Sequence, residues 1–236
     1  MNQLFVNREE ELRFLEKYYK DEKASLIVIY GRRRIGKTEL IKQFIKRRKH
    51  AYYLCERTTL QKNIEKFKEI LAEALEIDWL KSVEVKDFEA LFKMLKNELI
   101  KEKLVIVFDE FPYLIEIDRD IVSVFQKIWD EILVNTKAML ILCGSSIGMM
   151  ETEVLGYRSP LYGRRTAQWK VSEMDIKYIG NFLPNYNFEE ILYTYAVVGG
   201  IPFYLLKFEK NKGVFENIKE QFLWKGGFFT RKLKFC

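Results

Sequence analysis

Short apolar runs alternate with amphipathic stretches over the first two thirds of this chain. The runs are residues 26–30 (LIVIY), 51–55 (AYYLC), 104–108 (LVIVF), 138–143 (AMLILC) and 166–171 (TAQWKV). Four of the five are almost entirely apolar, the pattern of strands covered on both faces. Between them apolar residues recur at helical spacing. Leu60, Ile64, Phe67, Leu71 and Leu75 share one face; so do Phe88, Phe92, Leu95 and Leu99, and likewise Ile121, Phe125, Ile128 and Ile132. Strands alternating with helices predict βαβ units, hence an α/β fold with a parallel sheet between two helical layers. Beyond Val171 the strand signals stop. Ser172-x-x-Asp175 reads as a capping box opening a helix toward Leu183. Helical stretches follow near 189–197, 203–209 and 214–224, broken at Pro184, at Gly199-Gly200-Ile201-Pro202 and at Gly213. The expected organisation is a sheet domain over 1–171, a small helical lid over 172–225, and a tail over 226–236 with no assignable pattern.

Composition narrows the chemistry. The chain has 236 residues, and its 48% hydrophobic content is ample for a packed core. No apolar run approaches the roughly 18–20 residues of a spanning helix, and the start MNQLFVNREEE turns acidic where a signal peptide is greasy. The expectation is a soluble, cytoplasmic protein with no membrane partner. The single histidine, His50, excludes a multi-histidine zinc site. A serine-histidine triad would have to use that histidine, on what reads as a solvated helix end. Cys55, Cys143 and Cys236 are widely spaced and form no CxxC pair.

The net charge of +6 is local. Nine basic residues and one acid, Glu39, lie between Gly31 and His50, a charge of +8 that exceeds that of the whole chain. Part of it surrounds the loop described next. The remainder, Lys46 to Lys49, fits either a helix end, where cations meet the negative pole of the macrodipole, or a surface for DNA phosphates.

LIVIY runs directly into Gly31-Arg32-Arg33-Arg34-Ile35-Gly36-Lys37-Thr38, and a helix with Leu40, Ile41, Phe44 and Ile45 inward follows. The pattern GxxxxGK[ST] is met in its required strand-to-helix setting. The glycines let backbone N–H groups from Gly31 through Gly36 turn onto phosphate oxygens, and the helix N-terminus adds its own donors. Lys37 reaches the β- and γ-phosphates, and the Thr38 hydroxyl is a ligand for Mg2+. LVIVF then delivers Asp109-Glu110 at the carboxyl edge of the sheet, where ligands of open parallel sheets bind. Asp109 is the expected Mg2+ residue, and Glu110 the expected general base for an attacking water. An acid pair here, without DxxG or NKxD elsewhere, points to ATP rather than GTP.

AMLILC leads into Gly144-Ser145-Ser146. Ser145, leaving the strand first, is either a sensor of the γ-phosphate or attacking water, or part of a turn or helix cap. Arg164 in LYGRRT is either an arginine offered to a neighbouring subunit's γ-phosphate in a homo-oligomer, or one half of an intramolecular ion pair.

Together the stretches FVNREEELRFL, YGRRRIGKTEL, LVIVFDEFPYL, ILCGSS, LYGRRT and VVGGIPFYL resemble the archaeal ATPase family within the STAND branch of AAA-related P-loop NTPases, over residues 5 to about 205. The resemblance implies an ASCE-type sheet of order 5-1-4-3-2 and ATP-dependent switching. It also implies that Arg8 helps form the adenine pocket and that Gly200-Ile201-Pro202 meets the nucleotide from the lid. Read without the family, Asn7-x-x-Glu10 is a capping box and GGIP a helix stop with a proline lock. Members typically continue past the lid into a winged helix and often a nuclease-like region, so the resemblance implies effector parts either beyond these residues or on another chain. The leading expectation is an Mg2+-dependent ATPase. Its alternative is a non-hydrolysing ATP/ADP-gated module that docks a protein partner. A P-loop kinase would need an acceptor site, for which no signature occurs.

Overall fold

A computed structural model describes residues 5–230. It divides into two compact units. The sheet unit comprises Glu9–Arg33 and Lys37–Val171. Its elements run α1 (Glu9–Lys20), β1 (Ser25–Tyr30), α2 (Lys37–Ile45), β2 (His50–Leu54), α3 (Leu60–Leu75), α4 (Asp78–Ser82), α5 (Phe88–Lys101), β3 (Val105–Asp109), α6 (Pro112–Ile117), α7 (Ile121–Glu131), β4 (Met139–Gly144), α8 (Ile147–Met149) and β5 (Ala167–Lys170). The five strands are all parallel in the order β2-β3-β4-β1-β5, which read from the other edge is the 5-1-4-3-2 order expected.

Every residue of β1, β3 and β4 is buried, as two covered faces demand, whereas edge strands β2 and β5 alternate. Alternation along the inner strands sends Leu26, Val28, Ile106, Phe108, Leu140 and Leu142 into one core with α3, α5 and α7. That core is aromatic at its centre. Phe108 meets Phe67 at 4.4 Å between centroids and Phe125 edge-on at 4.9 Å, and Phe111 meets Phe125 at 4.9 Å. Rings locked on both sides of Asp109 fix the end of β3, and with it the residues that follow.

The helical unit comprises Met1–Arg8, Arg34–Gly36 and Ser172–Cys236, of which 5–8, 34–36 and 172–230 are described. It contains a 3-10 turn (Ile176–Tyr178), α9 (Ile179–Phe182), α10 (Phe188–Val198), α11 (Pro202–Leu205) and α12 (Val214–Ile218) around Ile179, Phe182, Leu183, Leu205 and Phe229. α10 opens on a true capping box, Asn187 with Glu190.

Several expectations need correction. Ser172-x-x-Asp175 is no capping box, because the backbone there is extended and Met174 N–H donates to the Gly200 carbonyl at 2.8 Å instead. Gly200 permits that approach: a Cβ on it would lie 1.8 Å from the Met174 oxygen. Asn7 does not sit extended as an N-cap would; Asn7 and Arg8 both have positive φ (58° and 79°) ahead of α1. His50 opens β2 rather than ending a helix, since α2 stops at Ile45. Cys236 lies outside the described residues.

Candidate active site

The phosphate-loop sequence connects β1 to α2. Gly36 carries a φ of +92°, a conformation side chains resist. Lys37 is buried, and its ammonium donates to the carbonyls of Gly31 and Arg32, both at 2.9 Å. Two of its three donors are thus turned over the loop.

One residue on, the Thr38 hydroxyl donates to Asp109 Oδ2 at 2.7 Å. Asp109 is completely buried at the end of β3. Its Oδ2 also accepts from the Tyr52 hydroxyl at 2.8 Å, and its Oδ1 from the Glu110 N–H at 3.0 Å. Burial first, then the Asp109 charge, pushes the Tyr52 phenol well above its ordinary value, so it stays a donor. The same two causes, in the same order, raise the Cys143 thiol on the adjoining strand. Thr38 and Asp109 are therefore brought together as the sequence placed them.

Glu110 follows with a φ of +54°, unusual for a residue with a Cβ. That turn directs its carboxylate to the end of β4, where Oε2 accepts from the Ser145 hydroxyl at 2.7 Å and the Ser145 N–H at 3.2 Å. Arg33 Nε donates to the same Ser145 oxygen at 3.3 Å, and Arg33 Nη2 to the Tyr113 hydroxyl at 2.9 Å. Arg57 lies over the Tyr113 ring at 4.4 Å and pairs with Glu116. Ser145 thus joins the loop arginine to Glu110.

Arg164 makes the intramolecular pair: its Nε donates to both Asp130 oxygens at 2.8–2.9 Å, and its Nη1 to the Pro160 carbonyl. The basic cluster is partly spent within the fold too. Arg48 pairs with Glu16 and lies over the Tyr19 and Phe44 rings, and Lys49 pairs with Glu102.

Within the helical unit, buried Arg8 donates to the Ile35 carbonyl at 3.0 Å and the Ser172 carbonyl at 2.8 Å. Arg34 has a φ of +71°, and its guanidinium lies over Phe203, Phe228 and Tyr204 at 4.9, 5.4 and 5.6 Å. The Arg34 carbonyl accepts from Phe203 N–H at 3.5 Å. Pro202 occupies the first turn of α11, preceded by Ile201. Arg8 and the GGIP segment are thus both seen holding backbone, Arg8 of the loop and Gly200 of residue 174.

Tyr52 was not among the expected site residues. Its signal was two adjacent tyrosines in an apolar strand: alternation sends Tyr53 to the core side, where it donates to Asn63 at 2.6 Å, and Tyr52 to the other face.

Comparison with known proteins adds the family. A model of ATPase domains predominantly from Archaea matches residues 5–208. The chain belongs to this archaeal ATPase family. An uncharacterized protein of Methanocaldococcus jannaschii, MJECL04, is 40% identical over 204 residues, 86% of this chain and 44% of that protein. The archaeal ATPase chain thus spans less than half the length of that relative. An uncharacterized ATP-binding protein of the same organism, MJ0423, is 59% identical over 46 residues, 20% of this chain and 78% of that one. Among solved structures, the Walker-type ATPase PABY2304 of Pyrococcus abyssi shares the fold, with a TM-score of 0.72 at 22% identity over 98% of this chain and 75% of that one.

Proposed function

We propose that this chain binds ATP with Mg2+ on the Gly31–Thr38 loop, hydrolyses it, and uses the cycle to switch the conformation of its helical unit. The observation that carries the reading is the contact of the Thr38 hydroxyl with buried Asp109, 2.7 Å, at the mouth of a glycine-bounded loop and a helix N-terminus. The ATP-binding relative, 59% identical over 46 residues, supports the nucleotide part of this reading.

The donor set fits the ion. Mg2+ prefers hard oxygens and keeps waters, binding through one or two protein groups plus substrate phosphates. Among the described residues no cluster of three or more His, Cys, Asp or Glu could hold a metal ion. Thr38 and Asp109 would hold Mg2+, and it would supply neutralisation of the phosphate charge.

The chain's own residues do the rest. Loop amides and the α2 N-terminus bind the phosphates, and Lys37 redirects its donors from the loop carbonyls to phosphate oxygens. Glu110 accepts a proton from the attacking water, while the Ser145 hydroxyl and N–H hold its carboxylate by hydrogen bonds. Glu110→Gln should leave ATP affinity by calorimetry within about threefold and lower phosphate release by about 10²–10⁴-fold, the usual worth of a general base. Turnover equal to the parent's would remove Glu110 from the mechanism.

The switch is supported by the membership of Arg34–Gly36 in the helical unit, while the loop's two ends belong to the sheet unit. A second reading, binding without hydrolysis, is favoured by Glu110 already accepting two hydrogen bonds on Oε2. Stoichiometric binding with no phosphate release by the parent chain would select it.

A further inference from the structure

Tyr52 stands outside the reading above, yet its hydroxyl touches the residue on which that reading turns. β2 is an edge strand paired, among the described residues, with β3, and the register sets Tyr52 opposite Val107 and Leu54 opposite Asp109. The Tyr52 side chain reaches forward along the sheet by those two residues to meet Asp109 Oδ2 at 2.8 Å. Its ring is half-buried, with the Lys42 ammonium 5.7 Å from its centroid.

An ionised carboxylate offers about four acceptor sites, and a fully buried one relies on protein donors for them. Three of the donors to Asp109 are Thr38 from α2, Tyr52 from β2, and the Glu110 N–H from its own backbone. The backbone donor fixes Oδ1. The two hydroxyls approach Oδ2 from different elements and set the rotation of the carboxylate plane. Thr38 is itself a proposed ligand and must turn an oxygen lone pair to the ion. Tyr52 is the donor to Oδ2 that has no such second duty.

We propose that Tyr52 is a positioning residue for the metal: its hydroxyl holds the Asp109 carboxylate in the orientation that lets Asp109 and Thr38 share one Mg2+ with bound nucleotide. The inference rests on the reading of this site as a Mg-nucleotide site. Partners that orient metal-binding carboxylates typically cost 10–100-fold in metal affinity when removed. The hydroxyl here acts on a group that meets the ion alongside phosphate oxygens, so the lower end applies.

Tyr52→Phe removes one O–H and keeps the ring. The measurement is the calorimetric ATP affinity of the full chain with Mg2+ and again with excess EDTA, for the parent and for Tyr52→Phe. The parent should bind more tightly with Mg2+. The variant should match the parent within about twofold in EDTA and lose about tenfold of the Mg2+-dependent gain. Repeating the pair on an Asp109→Asn background supplies the coupling: there Tyr52→Phe should change the metal gain no further.

An undiminished or larger metal gain in Tyr52→Phe, while the parent shows its own, overturns this inference alone. Equal weakening with and without metal overturns it as well, because that is the signature of a general packing role. No nucleotide binding by a parent chain that melts cooperatively overturns the reading of the site, and this inference with it. Should Tyr52→Phe fold poorly, Tyr52→Trp, which keeps an N–H donor on a larger ring, supplies the second variant. Its metal gain must exceed that of Tyr52→Leu for the inference to stand.

Discussion

Arg34 and Glu110 both hold a side chain at positive φ, and both flank the chemistry proposed here. Such backbone is costly, on the order of 1–3 kcal/mol, and persists where surrounding contacts over-determine it. For Glu110 those contacts are Ser145 on one side and the packed rings of Phe108 and Phe111 on the other. The buried thiols beside the site behave in the opposite sense, as inert filling. Burial first, then the charges of Asp109 and its neighbour Glu110, raises Cys55 and Cys143 well above an ordinary thiol. The thiolate is the reactive form, so less of it exists at pH 8 than in a free cysteine. A Cys236→Ser chain should therefore give no reaction with Ellman's reagent within minutes at pH 8, and two equivalents once denatured. Rapid native labelling would mean that the end of β3 opens in solution. At this scale the sequence was legible wherever a local pattern names the residue: Gly31, Lys37, Thr38, Asp109 and Glu110 need only their neighbours in the chain. Tyr52 needs strand order and register as well, and Arg164 needs the position of Asp130, 34 residues away.

Among the elements, the five strands appear within about one residue of where their apolar runs lie, because burial on both faces writes itself directly into composition. The long helices are equally plain. Short ones are not: α4 and α6 have five and six residues, too few for a helical period to show. The segment after Val171 departs from its local pattern for a different reason. A local cap at Ser172 lost to a non-local backbone bond with Gly200, and only the fold brings those residues together. The end of α3 offers a direct test of how backbone conformation limits an element. Glu76 closes this 16-residue helix in the left-handed conformation (φ 59°, ψ 43°), its own N–H and that of Ile77 capping the last carbonyls. Its side chain is exposed, so nothing but the Cβ is at stake. Glycine is the usual residue at such a cap because it escapes the left-handed penalty of roughly 1–2 kcal/mol, offset in part by its greater freedom when unfolded. Glu76→Gly should stabilise the protein by about 0.5–1 kcal/mol in urea titration with an unchanged slope. Destabilisation would mean that Glu76 carries an interaction its exposure conceals.

For the whole molecule, the phosphate loop is the one stretch whose middle belongs to one unit and whose ends belong to the other. Arg34–Gly36 is held within the helical unit by the Arg8 bond to Ile35 and by the aromatic rings around Arg34. In the proposed reading a ligand on the loop amides holds Arg34–Gly36 and, through the continuity of the chain, the loop ends on either side of it, so its binding free energy should appear in the elements each segment belongs to. At a nucleotide concentration 100 times the dissociation constant, binding adds about 2.7 kcal/mol. Chains of this length shift by about 2–4 °C per kcal/mol, so ATP with Mg2+ should raise the melting temperature by about 5–10 °C. Lys37→Ala should abolish the shift. The distribution of the gain is the sharper observation. Amide exchange should slow at the end of β3 in the sheet unit and also at Leu205 and Leu206 in the helical unit, whose N–H groups donate to the Ile201 and Pro202 carbonyls. If protection rose in the sheet unit alone, the loop would be a passive grip, and nucleotide could not move the helical unit through Arg34. Protection in both, lost together in Lys37→Ala, would make the loop tip the lever by which the phosphate end of the nucleotide reaches the helices.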